Sequence, residues 1–211
     1  MSASELGDSE QSGAETVLRD CWSCDEKVSA RALFCHGCGS IQAPAAMDNF
    51  ARLGLARGFD IADTDLDRQY FGFQRALHPD RFVGKSAKEQ AISLQHATSI
   101  NDAYECLKDT LKRAAHLLEI SGYGLPEDGE TTSDPELLME AMEMRESLAE
   151  AVDSEELGKV IKHSEDAVEH CVEQLREAFE AGNFEHAKLL ALRLTYLTKL
   201  AQEARQAVAL N

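Results

Sequence analysis

An almost all-α protein is what this sequence predicts, and three observations predict it. The good helix formers Ala, Leu and Glu abound while aromatics make up only 6%, and the alternating Val/Ile/Thr pattern of half-buried strands is nearly absent. Apolar residues recur instead at the three- and four-residue spacing of one helix face. Helix starts and stops are marked by capping residues, glycines and prolines. With 211 residues, 44% of them hydrophobic, the chain can build one or two small cores but not a large enzyme.

The elements follow in order. Residues 1–18 are polar and aperiodic, so they bury too little to offset their ordering entropy and are expected to be a disordered tail. Residues 19–40 form a compact cysteine module, and 41–46, with Pro44, reads as a short linker. Asp63 or Thr64 caps a helix whose apolar stripe is Leu66, Tyr70, Phe73 and Leu77, and Pro79 ends it. Ser86 and Glu89 form a capping box that opens a long helix with apolar positions Ile92, Ala97, Ile100, Ala103, Tyr104 and Leu107. A shorter helix over 110–120 closes at Gly122.

Residues 123–133 mix Gly, Pro, Asp, Glu and Thr without periodicity and mark a boundary between domains at 47–122 and 134–210. Asp134 caps a helix with Pro135 in its first turn, Ser154 caps the next, and Gly182 with Asn183 breaks the chain before the last. In the middle helix Leu157, Ile161, Ser164, Val168, Cys171, Leu175 and Ala178 repeat at alternating four and three, as Leu190, Leu194, Leu197 and Ala201 do in the last. Such seams predict a C-terminal three-helix bundle.

A formal charge of −17 argues against wholesale binding to nucleic acid or to an anionic membrane, which need basic surfaces. No apolar run approaches the roughly 18 residues of a membrane span, and the acidic start has neither the apolar core of a signal peptide nor the Arg-rich bias of a transit peptide. Of six cysteines four are clustered, while Cys106 and Cys171 stand alone in helical patterns, unlike a secreted disulfide framework. A reducing, cytoplasmic location is the expectation.

The chemistry-bearing motifs are three. Cys21-Trp-Ser-Cys24 and Cys35-His-Gly-Cys38-Gly are two CxxC pairs separated by ten residues, a pattern in which each pair forms a knuckle and four thiolates hold one tetrahedral metal. Zinc is the expected ion, with an iron centre or a redox dithiol as alternatives. Gly37 and Gly39 would supply the permissive backbone of such turns. His36, inside a knuckle, is expected to be a surface neighbour, because four cysteines already complete the tetrahedron.

The second motif is His78-Pro79-Asp80, between a helix bearing Arg68 and Arg75 and a segment bearing Arg81, Lys85 and Lys88. The tripeptide alone could be an ordinary helix stop, but a basic helix, this loop and a long capped helix together resemble the J domain, whose signature Leu77-His78-Pro79-Asp80-Arg81-Phe82 is similar to. Within that family the chain resembles the HscB-type co-chaperones. The resemblance rests on Met47-Asp48-Asn49-Phe50 with Leu53-Gly54-Leu55, on Ala97-Thr98-Ser99-Ile100-Asn101-Asp102-Ala103-Tyr104, and on Leu137-Leu138-Met139-Glu140 with Met144-Arg145-Glu146. It spans about Met47 to the C-terminus, and some HscB-type proteins also carry an N-terminal tetracysteine module. The resemblance implies that His78, Pro79, Asp80 and Arg75 dock on a DnaK/HscA-type ATPase chaperone and stimulate its ATP hydrolysis. Gly72, mid-helix, departs from helix propensity by about 1 kcal/mol relative to Ala, with close packing a conceivable reason.

The third constellation, Leu138, Met139, Met142, Glu143 and Glu146, lines one edge of a helix with apolar, Met-rich positions flanked by acids. By spacing alone Leu138 and Met142 read as bundle core. The resemblance implies instead that these five residues, with Tyr196 on the last helix, bind an IscU-type iron–sulfur scaffold protein, and that reading is favoured. A homodimer is a further candidate assembly. Two other classes compete: an enzyme, for which no phosphate loop or nucleophile motif appears, and a zinc-ribbon nucleic-acid or redox module fused to helices. The second would call for a basic cysteine module, but there Lys27 and Arg31 face Asp25 and Glu26.

Overall fold

The computed structural model describes residues 17–125, 135–151 and 154–209. The expected disordered tail therefore lies outside the described residues up to 16, as do residues 126–133 of the expected boundary segment and the Asp134 cap. The chain contacts group into two compact units, one comprising residues up to Ala46 with Leu77–Thr98, the other Met47–Ala76 with Ser99 onward.

In the first unit, strands β1 (Leu18–Asp20) and β2 (Lys27–Ser29) pair antiparallel with Arg19 opposite Val28. Leu18 thus belongs to a strand rather than to the tail, because its backbone completes this hairpin. Cys21, Val28 and Cys35 form a small core, with Ala32 packed on it. The expected linker at 41–46 begins inside the fold: Ile41 and Gln42 are both 1% exposed, and Ile41 pairs with Phe34 through a β-bridge. An aliphatic side chain and a satisfied amide can be buried here, so the cysteine module has no free hinge at this point. The unit also contains the end of helix α2 (Asp63–Leu77), a 3-10 turn over Pro79–Phe82 and the first half of helix α3 (Ala87–Lys108).

The capping box at the start of α3 forms as the sequence predicts. The Glu89 N–H donates to Ser86 Oγ at 3.3 Å, and the Ser86 N–H donates back to Glu89 Oε2 at 3.1 Å.

In the second unit, helix α1 (Asn49–Arg52) is capped by Asp48, whose side chain accepts from the Ala51 N–H. The body of α2 and the second half of α3 share a face on which Tyr70 stacks on Tyr104 and the Tyr104 hydroxyl donates to Asp67 at 2.7 Å. Helix α4 (Thr110–Ile120) is followed by Gly122 at φ 85, and packs on the last helix, over Phe184–Ala209.

Helices α5 (Pro135–Glu150), α6 (Ser154–Glu180) and α7 (Phe184–Ala209) pack pairwise as a bundle. Its seam is the one read from the sequence. Cys171, Leu175, Leu194 and Leu197 are almost wholly buried, and the one polar seam residue, Ser164, donates its hydroxyl to the Ile161 carbonyl at 2.7 Å. Gly182, at φ 66, makes the turn between α6 and α7, and Asn183 caps α7 by accepting the His186 N–H. Phe59 stacks on Phe179 and Tyr123 on Phe184, so residues on both sides of 123–133 share one aromatic cluster.

Candidate functional site

The two cysteine knuckles are built by one repeated backbone device. In the first, the Asp25 N–H returns to the Cys21 carbonyl at 3.0 Å and the Ser23 N–H points at Cys21 Sγ at 3.4 Å. In the second, Gly39 returns to Cys35 at 2.9 Å and the Gly37 N–H points at Cys35 Sγ at 3.3 Å. The fifth residue of each knuckle is left-handed, Gly39 at φ 75 and Asp25 at φ 60. Only Gly39 of the two glycines therefore supplies a conformation that favours glycine, while an added Cβ at Gly37 would meet ordinary contacts. Asp tolerates the left-handed region better than most residues, which is how Asp25 takes the equivalent place.

The four sulfurs lie within 4.8 Å of one another. Cys21 and Cys38 are 3.7 Å apart, as are Cys24 and Cys35. A tetrahedron of thiolates about 2.3 Å from a central ion has edges of about 3.8 Å, which these two separations match, so the donor set suits a four-coordinate thiophilic metal. Hydrogen bonds from the Ser40 side chain and then its backbone pull the Cys38 thiol down to about 6. A backbone hydrogen bond from Glu26 lowers the Cys24 thiol, but neighbouring sulfurs, Cys38 first, outweigh it and push it up to about 12. Four thiols in so small a space resist joint ionisation, and a cation among them would remove that resistance. His36 lies outside, 3.8 Å from the exposed Glu26 carboxylate, as a surface neighbour should.

The His-Pro-Asp tripeptide forms an exposed turn. His78 caps the 3-10 helix, with Nδ1 accepting the Asp80 N–H at 3.3 Å and lying 3.5 Å from Asp80 Oδ2. Pro79 occupies the first position, where a missing N–H costs nothing. The side chains of His78 and Asp80 are 50% and 86% exposed, whereas Phe82 is buried and anchors the turn from below. Arg81, Lys85 and Lys88 are exposed nearby in sequence.

Arg75 is exposed in the last turn of α2. The helix is less basic than its motif suggests. Asp63, Asp65 and Asp67 outnumber Arg68 and Arg75, and Arg68 pairs with Asp65 at 2.8 Å.

On α5, Leu138, Met139 and Met142 are 42%, 62% and 71% exposed, and Glu143 and Glu146 are exposed beside them. The bundle core reading fails for these positions. Ala141 and Met144 take that role, packing with Leu200 and Val160, because the inward face of α5 is offset by about 100° per residue from the Met-rich edge. Tyr196 is half-buried on α7.

Sequence reasoning missed four residues: Trp22, Gln42 and His96, which tie the cysteine module to α3, and Ser93, which ties α3 to the Leu77 carbonyl. Gln42, Ser93 and His96 are polar and buried, at 1%, 0% and 4% exposure. The available signal was that Ser93 and His96 interrupt an otherwise apolar helix face beside Ile92 and Ile100.

Comparison with known proteins matches this architecture. The family model described as the HSCB C-terminal oligomerisation domain matches residues 133–205. An iron–sulfur cluster co-chaperone protein HscB homolog of Arabidopsis thaliana is 34% identical, over 87% of this chain and 72% of that protein. The iron–sulfur cluster co-chaperone protein HscB of Mus musculus is 30% identical, over 95% of this chain and 87% of that one. The crystal structure of human co-chaperone protein HscB superposes with a TM-score of 0.84 at 29% identity, covering 89% of this chain and 98% of that one. A helical protein with an exposed turn and an exposed apolar strip, and with relatives of this kind, is a co-chaperone and not an enzyme. The chain belongs to the HscB family of iron–sulfur cluster co-chaperones.

Proposed function

We propose that this co-chaperone delivers an IscU-type iron–sulfur scaffold protein to a DnaK/HscA-type ATPase chaperone in the cytoplasm and stimulates that chaperone's ATP hydrolysis. Residues 47–122 act as a J domain and 134–210 as the scaffold-binding bundle. The observation that carries the reading is the exposed turn His78-Pro79-Asp80, whose polar groups point outward on a buried Phe82 anchor. Such a turn contributes little to folding and is free to make charge-assisted contacts with an acidic partner. Arg75 and the cations at 81, 85 and 88 favour the encounter by steering. Leu138, Met139, Met142, Glu143, Glu146 and Tyr196 supply the scaffold contact. An exposed Met-rich strip suits an adaptable protein interface.

Cys21, Cys24, Cys35 and Cys38 would hold a structural zinc ion, whose chemistry there is to cross-link the two knuckles with no open coordination position. No helix among the described residues is long and apolar enough to cross a membrane. The test is ATP turnover by a DnaK-type chaperone with parent, His78→Gln and Asp80→Asn proteins. Stimulation should vanish in both variants with melting temperatures nearly unchanged, and should weaken as salt rises. Variants that stimulate as well as the parent would refute the assignment.

A further inference from the structure

Two polar side chains buried in α3 belong to neither docking surface. Ser93 is fully buried, and its hydroxyl donates at 2.7 Å to the carbonyl of Leu77, the residue immediately before His78. His96 places Nε2 2.8 Å from the backbone carbonyl oxygen of Gln42. A carbonyl only accepts, so Nε2 carries the proton. Ser93 and His96 are three residues apart and hence neighbours on one helix face. That face therefore holds the approach to the His-Pro-Asp turn with one side chain and the cysteine module with the other.

The connection continues to the sulfurs. The Gln42 side-chain amide donates to Cys21 Sγ at 3.3 Å and to the Ser40 carbonyl at 2.9 Å. Beside it, Trp22 Nε1 donates to the Ile41 carbonyl at 2.7 Å, and Lys88 Nζ sits 4.4 Å from the centre of the Trp22 ring. Cys21 thus reaches α3 through Gln42, which meets His96, while Trp22 meets Lys88 in the first turn of the same helix. The Gln42–Cys21 and His96–Gln42 contacts are buried, where an unmade hydrogen bond is costly.

We propose that the tetracysteine module braces the His-Pro-Asp turn, with Gln42, His96 and Ser93 as positioning residues that couple metal occupancy at Cys21, Cys24, Cys35 and Cys38 to the order of Leu77–Thr98. The inference rests on the docking function proposed above, since it assigns that turn a regulator. A metal fixes the Cys21 knuckle and thereby the amide of Gln42. Without it the sulfurs separate, Gln42 loses its acceptor, and the backbone carbonyl that holds His96 is no longer fixed. The turn then samples more conformations. A partner that binds only the ordered one meets a lower competent fraction, and its apparent affinity falls by that fraction.

The test is amide hydrogen exchange on the full chain, zinc-loaded and after zinc removal by a chelator, beside ATPase titrations with a DnaK-type chaperone. Zinc removal should speed exchange across Leu77–Thr98 by about tenfold or more while α6 and α7 are unaffected, as expected for opening of one local unit. The co-chaperone concentration for half-maximal stimulation should rise with the plateau unchanged. A His96→Leu variant should show the fast exchange even with zinc bound, and His96→Gln, which keeps an N–H donor, should restore slow exchange. The parent comparison needs no variant and so decides the matter if His96→Leu does not fold. Fast exchange confined to residues 17–46 after zinc removal, with Leu77–Thr98 unchanged, overturns the brace. If Leu77–Thr98 responds to zinc but the parent never stimulates the chaperone, the docking reading fails and the brace stands. If the parent stimulates and zinc alters neither exchange nor the half-stimulating concentration, the brace alone fails.

Discussion

Truncating the Met-rich edge of α5 separates an interface from a core by magnitude. Fully burying a Leu or Met side chain is worth about 1.5–3 kcal/mol. Met142 is 71% exposed and Leu138 42%, so less than a third of that value is at stake at Met142 and somewhat more than half at Leu138. A Leu138→Ala/Met142→Ala double variant should therefore lose only about 1–2 kcal/mol of folding stability, with no cavity left behind. Were the two positions core, each truncation would cost about 2–5 kcal/mol. Met144, 6% exposed against Ala141 and Leu200, provides the internal contrast, since Met144→Ala should cost that larger amount.

Binding to the scaffold should weaken by at least about 2 kcal/mol, or some thirtyfold in Kd, as for interface anchors. Tyr196 is half-buried, so Tyr196→Phe, which spares the ring, is the companion substitution. Thermal melting by circular dichroism beside a calorimetric titration with an IscU-type scaffold reads both quantities. A double variant that binds like the parent, or that melts as early as Met144→Ala, would refute the reasoning.

Three further outcomes are expected. Metal analysis after anaerobic purification should find one zinc per chain, and Cys35→Ser should lose it, because the four sulfurs already lie within 4.8 Å of one another. An added Cβ at Gly72 or Gly158 would meet nothing within 4 Å, so close packing does not explain either glycine, and Gly→Ala at each should raise stability by up to about 1 kcal/mol in denaturant titrations. Asp48 is desolvated, which raises its pKa, but hydrogen bonds from the Ala51 N–H and the Arg57 guanidinium outweigh this and hold it below its ordinary 3.8. A depressed carboxyl stabilises the fold above its unfolded pKa and loses that contribution as pH falls through the folded one. Asp48→Ala should therefore cost about 1–2 kcal/mol near neutrality, and the difference from the parent should close below about pH 4, which melting across a pH series would show.

What the sequence by itself determined is what short range decides. A helix start is helped by an acceptor within three residues, and Ser86, read as a cap from the sequence, supplies one to the N–H three positions on, as Asp109 and Asn183 also do. A proline or a left-handed glycine stops a helix locally, and Pro79, Gly122 and Gly182 lie where the sequence puts them. The four cysteines were legible because each knuckle closes over five residues. The same locality let the seam of α6 and α7 be read from spacing, since every residue on it meets the facing helix at a fixed period.

Tertiary structure alone decided which stripes face water and which distant groups meet. The Leu138–Met142 edge and the Ala141–Met144 face are both apolar, and only the placement of α6 and α7 leaves the first exposed and buries the second. Gln42 and His96 stand 54 residues apart, and no local rule pairs them. A polar side chain in a helix can face solvent or a buried partner with the same backbone. The choice is made by whatever surface closes over it, and here that surface is the cysteine module.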